Sequence, residues 1–221
     1  MTNTLITGAN RGIGLELCRQ LLTRGQHVIA VCRNSSAELD DLGAHQVITD
    51  MDVGSDESAA QLAGRLAGVK LDWLINNAGI LSNQSLDSLD FEAMEQQYRI
   101  NALGPLRVTA ALLANMGAGS KVGIITSRMG SIEDNTSGGS YGYRMSKAAV
   151  NMAGASLASD LRDRSIAVAL LHPGYVMTDM TGGKGLITAE QSARGLIQRM
   201  DELDMSTSGG FWHAEGERLP W

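Results

Sequence analysis

In "SYGYRMSKAAV", Ser140 to Val150, two tyrosines and one lysine lie within a stretch that reads as the opening of a helix. Residues four apart share a helix face, which sets Tyr143 over Lys147 and leaves Tyr141 over Met145. A phenol with an ordinary pKa of about 10 is a poor acid–base group at neutral pH. A nearby ammonium favours the phenolate, so Lys147 is expected to lower that value and make Tyr143 a proton-exchanging group. Ser127 ends the run "KVGIITS", at the edge of a sheet where ligands bind, and its hydroxyl can hold a carbonyl oxygen beside that of Tyr143.

A second cluster suits phosphate. "TGANRGIG", Thr7 to Gly14, has glycines at Gly8, Gly12 and Gly14 with Asn10, Arg11 and Ile13 between them. The spacing is G-x3-G-x-G, not the better-known G-x-G-x-x-G. The physical demand is the same: a tight turn, a bare backbone and a helix N-terminus that favours an anion. A site for NAD(H) expects an acid roughly 20 residues further on, to hold the ribose 2′-hydroxyl. Here "VCRNSSA" offers Arg33 and no acid before Glu38. Arg33 and Arg11 are suited to a 2′-phosphate, which favours NADP(H) over NAD(H).

These groups need a scaffold. Aliphatic runs recur at Thr4–Thr7, His27–Cys32, Gln46–Asp50, Leu71–Asn76, Lys121–Ser127 and Ser165–Leu171, with a further strand at Gly209–His213. Runs apolar on both faces, separated by helix-length segments, predict an α/β fold: a doubly wound, mainly parallel sheet of Rossmann type flanked by helices on both faces. Helices are predicted over Ile13–Arg24, Ser55–Ala67, Phe91–Asn115 and Met145–Arg162. The 221 residues suit one domain, and no repeat or linker divides them.

A net charge of −6, with no Lys/Arg cluster, argues against nucleic acid as a partner. No run is long enough to span a membrane, and the start shows no leader peptide, so the expected location is cytoplasmic. Cys18 and Cys32 read as core thiols, and His172, without a second ligand at metal spacing, as a satisfied structural residue. No metal site is expected.

"TGANRGIG", "NNAG" at Asn76 to Gly79, Asn101, Ser127, Tyr143 with Lys147, and "PG" at Pro173 and Gly174 occur in the order found in the classical-type short-chain dehydrogenases/reductases. The whole chain resembles that family, and "FWHAEGERLPW" is similar to the ending of its C-factor and sniffer-like carbonyl reductases. The resemblance implies reversible hydride transfer between NADP(H) and a small carbonyl or alcohol. Tyr143 would act as acid, its acidity raised further by the bound nicotinamide cation. Ser127 would orient the substrate, Lys147 would also bind the nicotinamide ribose, and Asn101 would hold a water in a proton relay. It assigns Asp52 and Val53 to the adenine, and Asn76, Ala78 and Gly79 to the adenine ribose side. Pro173, Gly174, Val176 and Thr178 would frame the carboxamide, leading into a substrate lid at about residues 175–188. It further implies a homodimer or homotetramer built on the Phe91–Asn115 helix and the helix of Lys147. A signalling or redox-sensing protein that binds NADP(H) with little turnover is the alternative.

Overall fold

The computed structural model describes residues 2–221. Its strands are β1 (Asn3–Thr7), β2 (His27–Val31), β3 (Gln46–Ile48), β4 (Leu71–Asn76), β5 (Met116–Ile125), β6 (Ala167–His172) and β7 (Gly210–His213). They form one parallel sheet in the order β3-β2-β1-β4-β5-β6-β7. Both faces are covered, as the continuous apolar runs require. Neighbouring strand residues go to opposite layers: Leu5 and Leu74 belong to one buried cluster, Ile6 and Ile75 to the other. Each fully buried leucine or isoleucine of this kind stabilises the fold by about 1.5–3 kcal/mol relative to an exposed one.

The helices are α1 (Gly12–Thr23), α2 (Ala37–Asp40), α3 (Asp56–Arg65), α4 (Phe91–Tyr98), α5 (Gly104–Ala111), α6 (Tyr141–Asp160) and α7 (Ala189–Glu202). Strand order reverses between β1 and β4, so the chain leaves the carboxyl ends of these paired strands in opposite directions along the sheet, the position at which doubly wound sheets form a crevice.

Three local departures from expectation have physical causes. The single helix expected over Phe91–Asn115 is interrupted by a wider π-helical turn, Arg99–Leu103, and ends in a 3₁₀ turn, Leu113–Asn115. Pro105 has no N–H to give the Asn101 carbonyl, so regular bonding cannot run through. Helix α6 begins at Tyr141, not Met145, and so takes both tyrosines into its first turn. Helix α7 was not expected, although its start carries a reciprocal cap: the Thr188 hydroxyl accepts from the Gln191 N–H, and the Gln191 side chain accepts from the Thr188 N–H.

Candidate active site

A cavity of about 340 Å³ opens at the crevice, and two sequence clusters meet on its wall. From the β1–α1 turn come Gly8, Asn10, Arg11, Gly12, Ile13 and Gly14. Arg33 follows β2, Asp52 and Val53 follow β3, and Ala78 and Gly79 follow β4. Tyr143 and Lys147 enter from α6, and Pro173 and Thr178 from the loop after β6.

The glycine turn is built for contact. A Cβ on Gly14 would overlap the Gly8 carbonyl oxygen and stand 2.6 Å from the Asn77 side-chain nitrogen. Helix and strand therefore approach here as closely as backbone allows, and the first N–H groups of α1 face the cavity without a side-chain cap. Asn77 braces the turn, donating from Nδ2 to the carbonyls of Thr7 at 3.0 Å and Gly8 at 3.1 Å. Asn77 was not among the expected residues; Asn76 was. Side chains alternate along β4, so Asn76 turns into the core, where its amide donates to Thr109 Oγ1 at 3.1 Å. The doubled asparagine of "NNAG" was the available signal, with the strand period deciding between its members.

Lys147 is 4% exposed, and burial pulls its pKa down from 10.5 to about 8. Its Nζ donates to the Ile125 carbonyl at 2.9 Å and stands 5.6 Å from the centroid of the Tyr143 ring. Tyr143 is partly exposed, toward the cavity. Its phenol is pushed up to about 12, chiefly by burial; a hydrogen bond with the Ser127 side chain acts in the opposite direction. The shift thus runs opposite to the expected acidification: desolvation outweighs the Ser127 hydrogen bond.

Ser127 lies beneath the wall and not on it, 7% exposed, with its Oγ accepting from the Met129 N–H at 3.1 Å. Asn101 is buried in the π-helical turn and also misses the wall. Its Oδ1 accepts from Ile80 N–H at 2.8 Å, while Nδ2 donates to the Ile80 carbonyl at 2.8 Å and to Ser146 Oγ at 3.0 Å. One amide proton thus holds the segment after β4 and the other ties the π-helical turn to α6. A side chain on Gly79 would meet that same Oδ1 at 3.2 Å.

Gly174 and Val176 turn away from the cavity: a Cβ on Gly174 would reach Ile187 Cδ1 at 2.8 Å, and Val176 is buried in a bridge to Ile187. The 175–188 segment is closed by backbone bonds, Met177 N–H to Ile187 O at 2.9 Å and Leu186 N–H to Tyr175 O at 2.7 Å. Its apolar side chains Tyr175, Met177, Met180 and Leu186 stay exposed, and Met180 lines the cavity.

His172 is held neutral, its pKa lowered to about 3 by burial first and then by the His213, Arg128 and Lys147 charges. It is not fully satisfied, because its buried Nδ1 has no hydrogen-bond partner. Among the described residues no cluster of His, Cys, Asp and Glu can hold a metal ion. Cys32, expected only as core, also backs the cavity wall.

The short chain dehydrogenase family matches residues 2–186 of the chain. The 1-hydroxy-2-glutathionyl-2-methyl-3-butene dehydrogenase of Rhodococcus sp. (strain AD45) is 46% identical, over 100% of both chains. Among solved structures, the carbonyl reductase Sniffer of D. melanogaster superposes with a TM-score of 0.93 at 32% identity, covering 100% of both chains. The NADPH-bound carbonyl reductase from chicken fatty liver superposes with a TM-score of 0.89 at 31% identity, covering 100% of this chain and 99% of that one. A family match over residues 2–186 and a relative 46% identical over the full length of both chains show that the chain belongs to the short chain dehydrogenase family.

Proposed function

We propose that this protein is an NADP(H)-dependent oxidoreductase acting on a small carbonyl or alcohol. The observation that carries the reading is that Tyr143 and Lys147 share one cavity with the glycine turn and Arg33. The residues fit the cofactor. A bare turn meets the uncapped start of α1, and Arg11 and Arg33 stand ready for a 2′-phosphate while no carboxylate occupies the end of β2. The related reductase from chicken fatty liver is NADPH-bound.

When bound, the cofactor supplies or accepts the hydride. The chain's own part is to handle a proton and an oxygen. Tyr143, protonated through neutral pH, donates to the carbonyl oxygen during reduction, and the Ser127 hydroxyl positions that oxygen. Lys147, one turn along the same helix, holds Tyr143 company in the cavity and binds the ribose side. Asn101 acts by fixing the backbone after β4, against which both groups stand. Exposed Met180 on the cavity wall, with Ile80 and Ile100, favours a substrate with an apolar part.

The protein is expected to act in the cytoplasm; no described helix is long and apolar enough to cross a membrane. A homodimer or homotetramer is supported by exposed Phe91, Tyr98, Leu103 and Leu106 along α4, the π-helical turn and α5, with Met145 and Met152 on α6. The deciding experiment is turnover of a panel of aldehydes, ketones and alcohols with NADPH and NADH side by side, repeated for Tyr143→Phe. Loss of turnover by roughly 10²–10⁴-fold with NADPH binding retained is the expected result. Full turnover by Tyr143→Phe removes the assignment, and retained cofactor binding with no turnover of any substrate by the unmodified protein favours a sensing role.

A further inference from the structure

The first turn of α6 carries Tyr143 and has an irregular start. Its N-cap, Ser140, is held at φ 46° and ψ 44°, in the left-handed region, and its side chain gives the helix no hydrogen bond. The Ser140 hydroxyl instead donates to Asn83 Oδ1 at 3.0 Å. Leading N–H groups of a helix have no acceptor within it, and an N-cap side chain ordinarily supplies one. Here the acceptor comes from a residue distant in sequence. Gln84, 5% exposed, takes the Gly142 N–H on its Oε1 at 3.2 Å and the Ser140 N–H on its backbone carbonyl at 2.8 Å.

Gln84 is itself held. Its Nε2 donates to Ser82 Oγ at 3.1 Å, and the Ser82 N–H donates to Gln97 Oε1 at 2.9 Å. Gln97, wholly buried, lies under the same turn: a Cβ on Gly142 would stand 2.6 Å from its Nε2 and 2.7 Å from Met94 Cγ. Gly142, the residue immediately before Tyr143, is therefore pressed against α4 from below and pinned at its N–H from the side. A left-handed residue at the N-cap costs backbone energy and persists only where its surroundings impose it.

We propose that Gln84 is a positioning residue for the reaction, an external cap that sets where the Tyr143 hydroxyl stands relative to the cavity. This rests on the oxidoreductase reading above. Gln84 is absent from the cavity wall, so its effect is expected on the chemical step and not on cofactor affinity.

The test compares Gln84→Met, which keeps volume and removes the acceptor, with Gln84→Glu, which restores an acceptor. Turnover is read with NADPH and benzaldehyde, NADPH Kd by fluorescence titration, and Gly142 amide exchange by hydrogen–deuterium measurement. In Gln84→Met, kcat is expected to fall roughly ten- to hundredfold, the scale on which a small misplacement of a reacting group is felt, with Kd unchanged within about twofold. Exchange at Gly142 accelerates in the same variant. Gln84→Glu brings both kcat and exchange back toward the unmodified protein. Unchanged kcat and unchanged Gly142 exchange in Gln84→Met overturn the proposal, as does a Gln84→Glu protein that loses as much as Gln84→Met. Should Gln84→Met fail to fold, Gln84→Glu decides alone: near-normal kcat and protected Gly142 support the cap, and a tenfold loss rejects it. Tyr143→Phe runs alongside, since activity surviving there defeats the oxidoreductase reading itself, whereas its loss with Gln84→Met unaffected defeats only the cap.

Discussion

The Lys147 ammonium lies 5.6 Å from the centroid of the Tyr143 ring and gives its hydrogen bond to the Ile125 carbonyl. Two groups whose charged forms would attract each other are both driven toward neutrality by burial: lysine down to about 8, tyrosine up to about 12. The free enzyme's kcat/KM reports such groups. Carbonyl reduction is therefore expected to decline above pH 8 as Lys147 loses its proton, with no phenol limb below pH 10. An arginine stays charged throughout that range. In the residual activity of Lys147→Arg the limb near pH 8 should vanish, and a profile that keeps it assigns the limb to another group.

Lys147 also gives stability a pH slope. Its pKa is lowered on folding from 10.5 to about 8, so between those values the unfolded chain binds more protons than the folded one. Stability therefore rises with pH in that interval. The buried Cys18 thiol, raised from 9.0 to about 12, works in the opposite direction above pH 9. The clean window is pH 8 to 9. Thermal melting of the unmodified protein should climb across it more steeply than that of Lys147→Met, which keeps only the weaker slope of Lys121, whose pKa burial also lowers; parallel curves would contradict the shift.

Gly14 admits no side chain, since the atoms in the way are the Gly8 backbone and the Asn77 amide that clamps it. Gly14→Ala is expected to destabilise the fold by about 1–3 kcal/mol, the usual range for overpacking. Because the glycine turn itself must shift, NADPH Kd should rise at least tenfold on the same scale of energy. Melting and fluorescence titration read the two effects separately.

Arg33 is the cavity's cation at the end of β2. A hydrogen bond to a charged group contributes about 1.5–3 kcal/mol, so Arg33→Ala should raise KM for NADPH by roughly ten- to hundredfold. KM for NADH, which has no 2′-phosphate, should stay within about twofold. Equal losses with both cofactors would place Arg33 elsewhere than on that phosphate. Arg11 has a second attachment, a loose pair with Asp179 at 3.9 Å, so Arg11→Ala is expected to show the smaller NADPH effect.

The sheet was legible because a buried parallel strand writes itself as a short apolar run, and each of the seven strands overlaps a run read from the sequence, although β5 begins five residues before its run and ends at Ile125, short of Ser127. The tyrosine–lysine pair was legible for a similar reason: four residues on a helix is a fixed geometry. Three features depended on partners remote in the chain. Whether Asn76 or Asn77 faces the cavity turns on the last residue of β4, and strand ends are the least determined positions. The sign of the Tyr143 shift depends on how deeply several elements bury it, which spacing does not express. The early start of α6 needed Gln84, 58 residues upstream of Gly142, to serve as its cap.

Strand β7 pairs along Ala169–His172 of β6 and is the outermost member of the sheet, although Phe211 within it is 1% exposed and stacks on Trp221 at 5.5 Å. During synthesis every residue of the cavity wall precedes it. A chain lacking residues 210 onward would present the bare flank of β6, apolar and unpaired, as a template for another polypeptide. Pairing with β7 is what closes that flank to other chains.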